Sequence, residues 1–204
     1  MCRWMEWDGT GRRTRPFIDP STHAVFYYRQ YIAGGGYQKS ESNQLITNLK
    51  KRITAPESEL YYKEKAIDKF VDELVGLLKS DTQTPTCMTW IPPSKVKGDP
   101  EYDDRMEQVV HKACRKLNFT ALETFQNKKS RPQLHYGNTR NPYDIAKNLQ
   151  WCDSSLQKFD ELFIVDDVLT TGASFRAMHD LIHEKYPSLQ IVGLFWAITV
   201  DEDP

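Results

Sequence analysis

Leu162-Phe163-Ile164-Val165-Asp166-Asp167-Val168-Leu169-Thr170-Thr171-Gly172-Ala173-Ser174 is the stretch on which the fold turns. Leu162 to Val165 are consecutive apolar residues and read as a buried strand. Two carboxylates stand at its end, so the strand is predicted over 160–167. A short hydroxyl-rich turn with one glycine follows. Phe175, Met178, Leu181 and Ile182 then recur at helical spacing, predicting a helix over 173–186. In an open α/β sheet, ligands bind beyond the carboxyl ends of the strands. A loop that opens into a helix N-terminus offers free N–H groups and a positive dipole end, which suits phosphate.

The surrounding chain repeats this alternation. Residues 58–79 put Ile67, Phe70, Val71, Leu74, Val75 and Leu78 on one helical face. Thr86 to Ile91 reads as a strand, ended by Pro92-Pro93-Ser94-Lys95. A helix starts near Glu101, with Met106, Val109, Val110 and Cys114 inward. The acidic run Glu101 to Asp104 suits the start of that helix through the dipole. Thr120 to Leu122 is a short strand, 126–142 an irregular basic loop, 143–149 a short helix, and 190–198 a final buried strand. Strand–helix alternation from residue 58 onward predicts an α/β protein. Before it, His23 to Tyr31 reads as a strand broken by Gly34-Gly35-Gly36, and Ser40 caps a helix ending in Lys50-Lys51-Arg52.

The thirteen residues from Leu162 to Ser174 resemble the phosphoribosyl-pyrophosphate signature of type I phosphoribosyltransferases. The likeness spans roughly residues 60–200. It implies a parallel twisted sheet flanked by helices over 58–204, with a small N-terminal hood over 1–57. Asp166 and Asp167 would hold the ribose 2′- and 3′-hydroxyls, since carboxylates accept from hydroxyls. One of them would also stabilise positive charge developing at the anomeric carbon. Val168, Leu169, Thr170, Thr171, Gly172, Ala173 and Ser174 would wrap the 5′-phosphate. A capping role alone would also account for Thr170, Thr171 or Ser174 taken singly.

The family places its pyrophosphate loop after the first core strand, here at Pro93, Ser94 and Lys95. Lys95 and Lys97 are candidate cations. The loop lacks the arginine and glycines common in the nucleotide-making members. A flexible loop over 126–142 would close on the site with Lys128, Lys129, Arg131, His135 and Arg140, and Arg131 is the catalytic candidate. Thr124-Phe125-Gln126 with Arg131, Asn138, Arg140 and Asn141 resembles the competence-associated members most. Mg²⁺ is the implied cofactor, held on ribose hydroxyls and pyrophosphate oxygens, with Asp166 and Asp167 reaching it through those hydroxyls or water. The expected reaction transfers a phosphoribosyl group from phosphoribosyl pyrophosphate to an unidentified acceptor. The ligand is phosphoribosyl pyrophosphate or a nucleotide 5′-monophosphate. The competing reading is a binding or regulatory module without transfer. Family members often pair, so a homodimer is expected.

Composition narrows the partners. At 204 residues, 39% hydrophobic and 27% charged, the chain can bury a sizeable core. A net charge of −1 argues against nucleic acid, although Arg12, Arg13 and Arg15 form a basic run. No stretch is long enough to cross a bilayer, and Met1-Cys2-Arg3-Trp4 opens no signal-peptide core, so a cytoplasmic protein is expected. Cys2, Cys87, Cys114 and Cys152 lie too far apart for a metal or disulfide pattern. His179 and His183 have the spacing of a zinc pair, but Glu184 is in the wrong place for a zinc motif and no third ligand is expected nearby. Tyr27, Tyr28, Tyr31 and Tyr37 suit either base stacking or the packing of a small sheet.

Overall fold

The computed structural model describes residues 4–10, 13–79, 84–131 and 141–202. Along the chain come β1 (Met5–Glu6), β2 (Ala24–Ile32), α1 (Glu41–Leu49), α2 (Glu57–Leu78), β3 (Thr86–Trp90), α3 (Arg105–Leu117), β4 (Thr120–Ala121) and β5 (Phe125–Asn127). They are followed by α4 (Pro142–Asn148), β6 (Leu149–Trp151), β7 (Glu161–Leu169), α5 (Ala173–Lys185) and β8 (Gln190–Val200). Six strands form one sheet in the order β1-β2-β8-β7-β3-β4. Every pairing from β2 to β4 is parallel, and β1 alone runs antiparallel. The protein is therefore α/β with a mostly parallel sheet flanked by helices.

β7 and β8 sit in the middle and are buried on both faces, which explains their nearly continuous apolar sequence. Side chains alternate between two cores. Leu162 and Ile164 join the core shared with Phe175, Met178 and Ile182 of α5. Phe163 and Val165 join the core shared with α1, α2 and α3, where the ring of Phe70 stacks on Trp196 at 4.8 Å.

The chain leaves β3 through α3 toward β4 on one side, and leaves β7 through α5 toward β8 on the other. β3 and β7 are neighbours, so their outgoing connections diverge. That divergence opens a crevice at their carboxyl ends, the general place for a ligand in such sheets.

Within residues 1–57, β2 joins the main sheet, pairing in parallel with β8 from Ala24↔Val192 to Ile32↔Val200. Tyr27, Tyr28 and Tyr31 belong to β2 and pack against the two cores, as the packing alternative required. β7 continues two residues past the predicted end, because Val168 and Leu169 pair with Ala197 and Ile198 of β8 and are buried. The basic loop also starts later than predicted: Gln126 lies in β5, which pairs with β6 as a separate small sheet.

Candidate functional site

A cleft of about 530 Å³ occupies the crevice between β3 and β7. Its floor is the end of β3, Trp90 and Ile91, beside Asp166 and Asp167 of β7. Pro92, Pro93, Ser94 and Lys95 form one wall, with Arg131 next to them. Glu101 to Glu107 also line it, as do Lys50, Arg52, Ile53 and Thr54. Ser174 closes the end nearest α5.

The two carboxylates are not equivalent. Asp167 faces the α1–α3 side, where Arg105 Nη2 and Nε donate to its Oδ2 at 2.7 and 3.1 Å. Lys50 Nζ lies 3.0 Å from its Oδ1. Burial works against ionising Asp167, yet Lys50 and Arg105 outweigh it and hold the carboxyl below the usual range. Asp166 has no ion pair among the described residues, and its Oδ1 accepts the N–H of Asp167 at 2.8 Å. Burial first, and then the charge of Asp167, push the Asp166 carboxyl upward.

The 92–96 loop is pinned from behind. Ser94 O accepts the N–H of Arg131 at 2.7 Å, Pro93 O accepts from Asn127 Nδ2 at 2.6 Å, and the N–H of Val96 donates to Ser130 Oγ at 3.2 Å. Pro92 and Pro93 carry no N–H, so within 92–95 only Ser94 and Lys95 have amides. Lys95 Nζ meets Glu101 at 3.0 Å and Asp99 at 3.7 Å. Lys97, the second candidate cation, pairs with Glu123 at 2.8 Å and does not line the cleft.

The predicted site residues thus divide. Asp166, Asp167, Pro93, Ser94, Lys95, Arg131 and Ser174 meet around the cleft. Val168, Leu169 and Ala173 are buried, Thr170 is exposed, and none of them lines it. Thr171 Oγ1 accepts the N–H of Ala173 at 3.4 Å, and Gly172 is covered by Ile18. Lys128 and Lys129 turn to the end of α4: Lys128 Nζ donates to Lys147 O at 2.8 Å, and the N–H of Lys129 donates to Asn148 Oδ1 at 3.2 Å. His135, Asn138 and Arg140 lie outside the described residues, as does Arg12.

Lys50, Asp103 and Arg105 are the site residues that sequence reasoning missed. Lys50 and the run Glu101–Asp104 suggested only favourable charges at helix ends. The run instead walls the cleft, and α3 begins after it at Arg105. An arginine following an acidic run, beyond a strand-end loop, was the one local signal available.

The histidine pair also gains a neighbour. The fold brings His23 to His179, with ring centroids 4.6 Å apart, and ligand atoms of His23, His179 and Asp180 lie within 4.8 Å of one another. The N–H of Asp19 donates to His23 Nδ1 at 2.9 Å, so that nitrogen is an acceptor and Nε2 keeps the proton of the neutral ring. The trio therefore lacks three free donors and reads as packing.

No family profile and no curated protein sequence matches the chain. Several solved structures resemble it. Adenine phosphoribosyltransferase from Thermoanaerobacter pseudethanolicus is 16% identical, with 68% of this chain and 72% of that one covered at a TM-score of 0.40. The Leishmania tarentolae enzyme is 12% identical over 84% and 90%, at 0.39. The Trypanosoma brucei enzyme, solved with AMP, pyrophosphate and ribose-5-phosphate, is 10% identical over 99% and 92%, at 0.46. These are likenesses of shape at low identity.

Proposed function

We propose that this chain binds phosphoribosyl pyrophosphate in the β3–β7 cleft and transfers its phosphoribosyl group to an acceptor, releasing pyrophosphate; a nucleotide 5′-monophosphate would bind the same cleft as the product of such a transfer. The observation that carries the reading is the meeting of Asp166 and Asp167 with Ser94, Lys95 and Arg131 where the β3 and β7 connections diverge. Carboxylates at the strand end suit vicinal hydroxyls, and the cations across the cleft suit a pyrophosphate. Asp166, free of an ion pair among the described residues, is the carboxylate able to accept from the ribose directly.

The charge balance speaks for a metal arriving with the ligand. Lys50, Arg52, Lys95, Arg105 and Arg131 face Glu101, Asp103, Asp104, Glu107, Asp166 and Asp167 around one space. Five cations against six carboxylates do not attract a bare pyrophosphate. The oxygen-only acidic set fits Mg²⁺, which takes one or two carboxylates and completes its shell with water and phosphate. Asp166 and Asp104, which both line the cleft, would hold it directly or through water. When bound, the ion would neutralise charge on the leaving pyrophosphate. Lys95 and Arg131 would hold the leaving group, and Asp166 would steady positive charge at the anomeric carbon.

A binding module without transfer is the second reading. The engagement of Asp167 by Arg105 and Lys50 favours it, together with the two prolines that reduce the amides of the pyrophosphate loop. Thermal unfolding with phosphoribosyl pyrophosphate and Mg²⁺ tests the shared claim. Ligand at 100 times its Kd should stabilise the protein by about 2.7 kcal/mol. The Asp166→Asn/Asp167→Asn double variant should show no shift. An unresponsive wild type, or an equal response in the variant, refutes binding. Pyrophosphate release with nucleobase or amine acceptors separates the two readings: release establishes transfer, and binding without release favours the module. The likeness to the competence-associated members, carried by Thr124, Phe125, Gln126, Arg131 and Asn141 among the described residues, leaves the acceptor open.

A further inference from the structure

The charges behind Asp167 close into a ring that joins four elements. Lys63 of α2 is 5% exposed. Its Nζ donates to Leu49 O at 3.0 Å, Lys51 O at 2.8 Å and Asp103 Oδ2 at 2.7 Å. Asp103 Oδ2 also accepts from Arg105 Nη1 at 2.8 Å. Arg105 reaches Asp167 through Nη2 and Nε, and Lys50 reaches the same carboxylate from the other side. Lys50 lies between the two residues whose carbonyls Lys63 holds, so the ring is complete.

Each link has a physical cause. The last carbonyls of a helix have no partner within it, and two of the three donors of Lys63 serve Leu49 at the end of α1 and Lys51 just beyond it. Burying the ammonium is unfavourable unless a carboxylate accompanies it, and Asp103 does so. Asp103 in turn fixes Nη1 of the Arg105 guanidinium, leaving the Nε–Nη2 edge to Asp167 at the side of the cleft. A guanidinium edge fits a phosphate as well as a carboxylate.

Building on the proposed function, we propose that Arg105 and Lys50 join Lys95 and Arg131 in receiving the pyrophosphate group, and that Lys63 is the positioning residue that sets the first two. Without ligand they neutralise Asp167. With ligand they turn to pyrophosphate oxygens, while the ribose hydroxyls take their places on Asp167. The exchange leaves no buried charge unpartnered, and Asp103 remains the pivot for Arg105.

The test is isothermal titration of the full chain, in Mg²⁺, with phosphoribosyl pyrophosphate and separately with ribose 5-phosphate. Arg105→Gln and Lys50→Gln should each weaken the first ligand about 10- to 100-fold, the size expected for a charge-assisted bond, and should not weaken the second, whose hydroxyls then meet less competition for Asp167. Lys50 is 42% exposed in its side chain, so that variant keeps its fold even where Arg105→Gln does not. Lys63→Met should give the same selective loss, partly restored in Lys63→Arg. Equal loss for both ligands, or no loss for either, overturns the assignment while leaving the proposed function intact. Failure of the wild type to bind either ligand refutes the proposed function itself.

Discussion

A Cβ added to Gly172 would lie 2.3 Å from Cγ1 of Ile18. The segment that carries Ile18 crosses the carboxyl end of the sheet. Arg15 Nη2 donates to Thr199 O at 2.6 Å, Ile18 covers the start of α5, and His23 packs edge-on against Phe175 and His179. The turn expected to hold phosphate is therefore packed by residues that precede it by about 150 positions.

Gly172→Ala should be costly for two separable reasons. Gly172 has φ +84°, where an L side chain is strained by about 1–2 kcal/mol, and the methyl group meets Ile18. The total loss should be about 2–4 kcal/mol in urea unfolding. Adding Ile18→Ala should relieve the contact but not the strain, so the double variant should lose less than the two single losses together. Strict additivity would show that Ile18 does not press on Gly172.

His23 should make the fold sensitive to acid. It is 3% exposed, and burial, helped by the nearby His179 and Arg176, pushes its pKa down from 6.5 to about 4, against the opposing pull of Asp180 and Asp19. Burial lowers His179 as well. Between pH 6.5 and 4 the unfolded chain takes up a proton that folded His23 refuses. Stability should thus be full above about pH 6.5 and fall as pH drops through that window. From pH 7 to 5 the wild type should lose about 2 kcal/mol more than His23→Phe, which keeps a ring in place. Parallel urea curves for the two proteins at both pH values would sink this account.

Glu73 should be the most sensitive buried charge on α2. It accepts from Arg29 Nη2 at 2.5 Å, Arg29 Nε at 3.1 Å and Trp196 Nε1 at 2.6 Å, with the Arg29 and Glu73 side chains 5% and 7% exposed. Glu73→Ala leaves a buried guanidinium and an indole N–H without that acceptor, a loss of about 3–5 kcal/mol. Arg29→Met/Glu73→Met removes both charges and should cost clearly less than the sum of the single changes. A double-mutant cycle on the chemical midpoint measures the coupling.

Lys95 should separate binding from stability. Its partners Asp99 and Glu101 form weak, solvent-screened pairs on the wall of the cleft. Lys95→Ala should leave Tm essentially unchanged while weakening phosphoribosyl pyrophosphate about 10-fold or more. A large drop in Tm with unchanged affinity would assign Lys95 a structural role.

Local pattern was enough for the helices α1, α2, α3 and α5, for β3 and β8, and for placing an acidic pair at the end of a central strand. Apolar spacing at 3.6 residues and runs of buried β-branched residues are written into neighbouring positions, so they survive reading one segment at a time. Asp166, Asp167, Lys95 and Arg131 could be picked out from local pattern, as an acidic pair in an apolar strand, a loop after a strand and a basic loop, and they line one cleft. Lys50, Lys63, Asp103 and Arg105 could not be picked out in this way. Each has an ordinary explanation at its own helix end or face, and their shared role exists only once four elements meet behind Asp167. The same holds for β2, whose place beside β8 depends on pairing between residues some 168 positions apart, from Ala24 with Val192 onward. Periodicity reports which face of a segment is buried. It does not report which partner buries it, and here that partner choice set both the reach of the N-terminal segment and the counter-charges of the site.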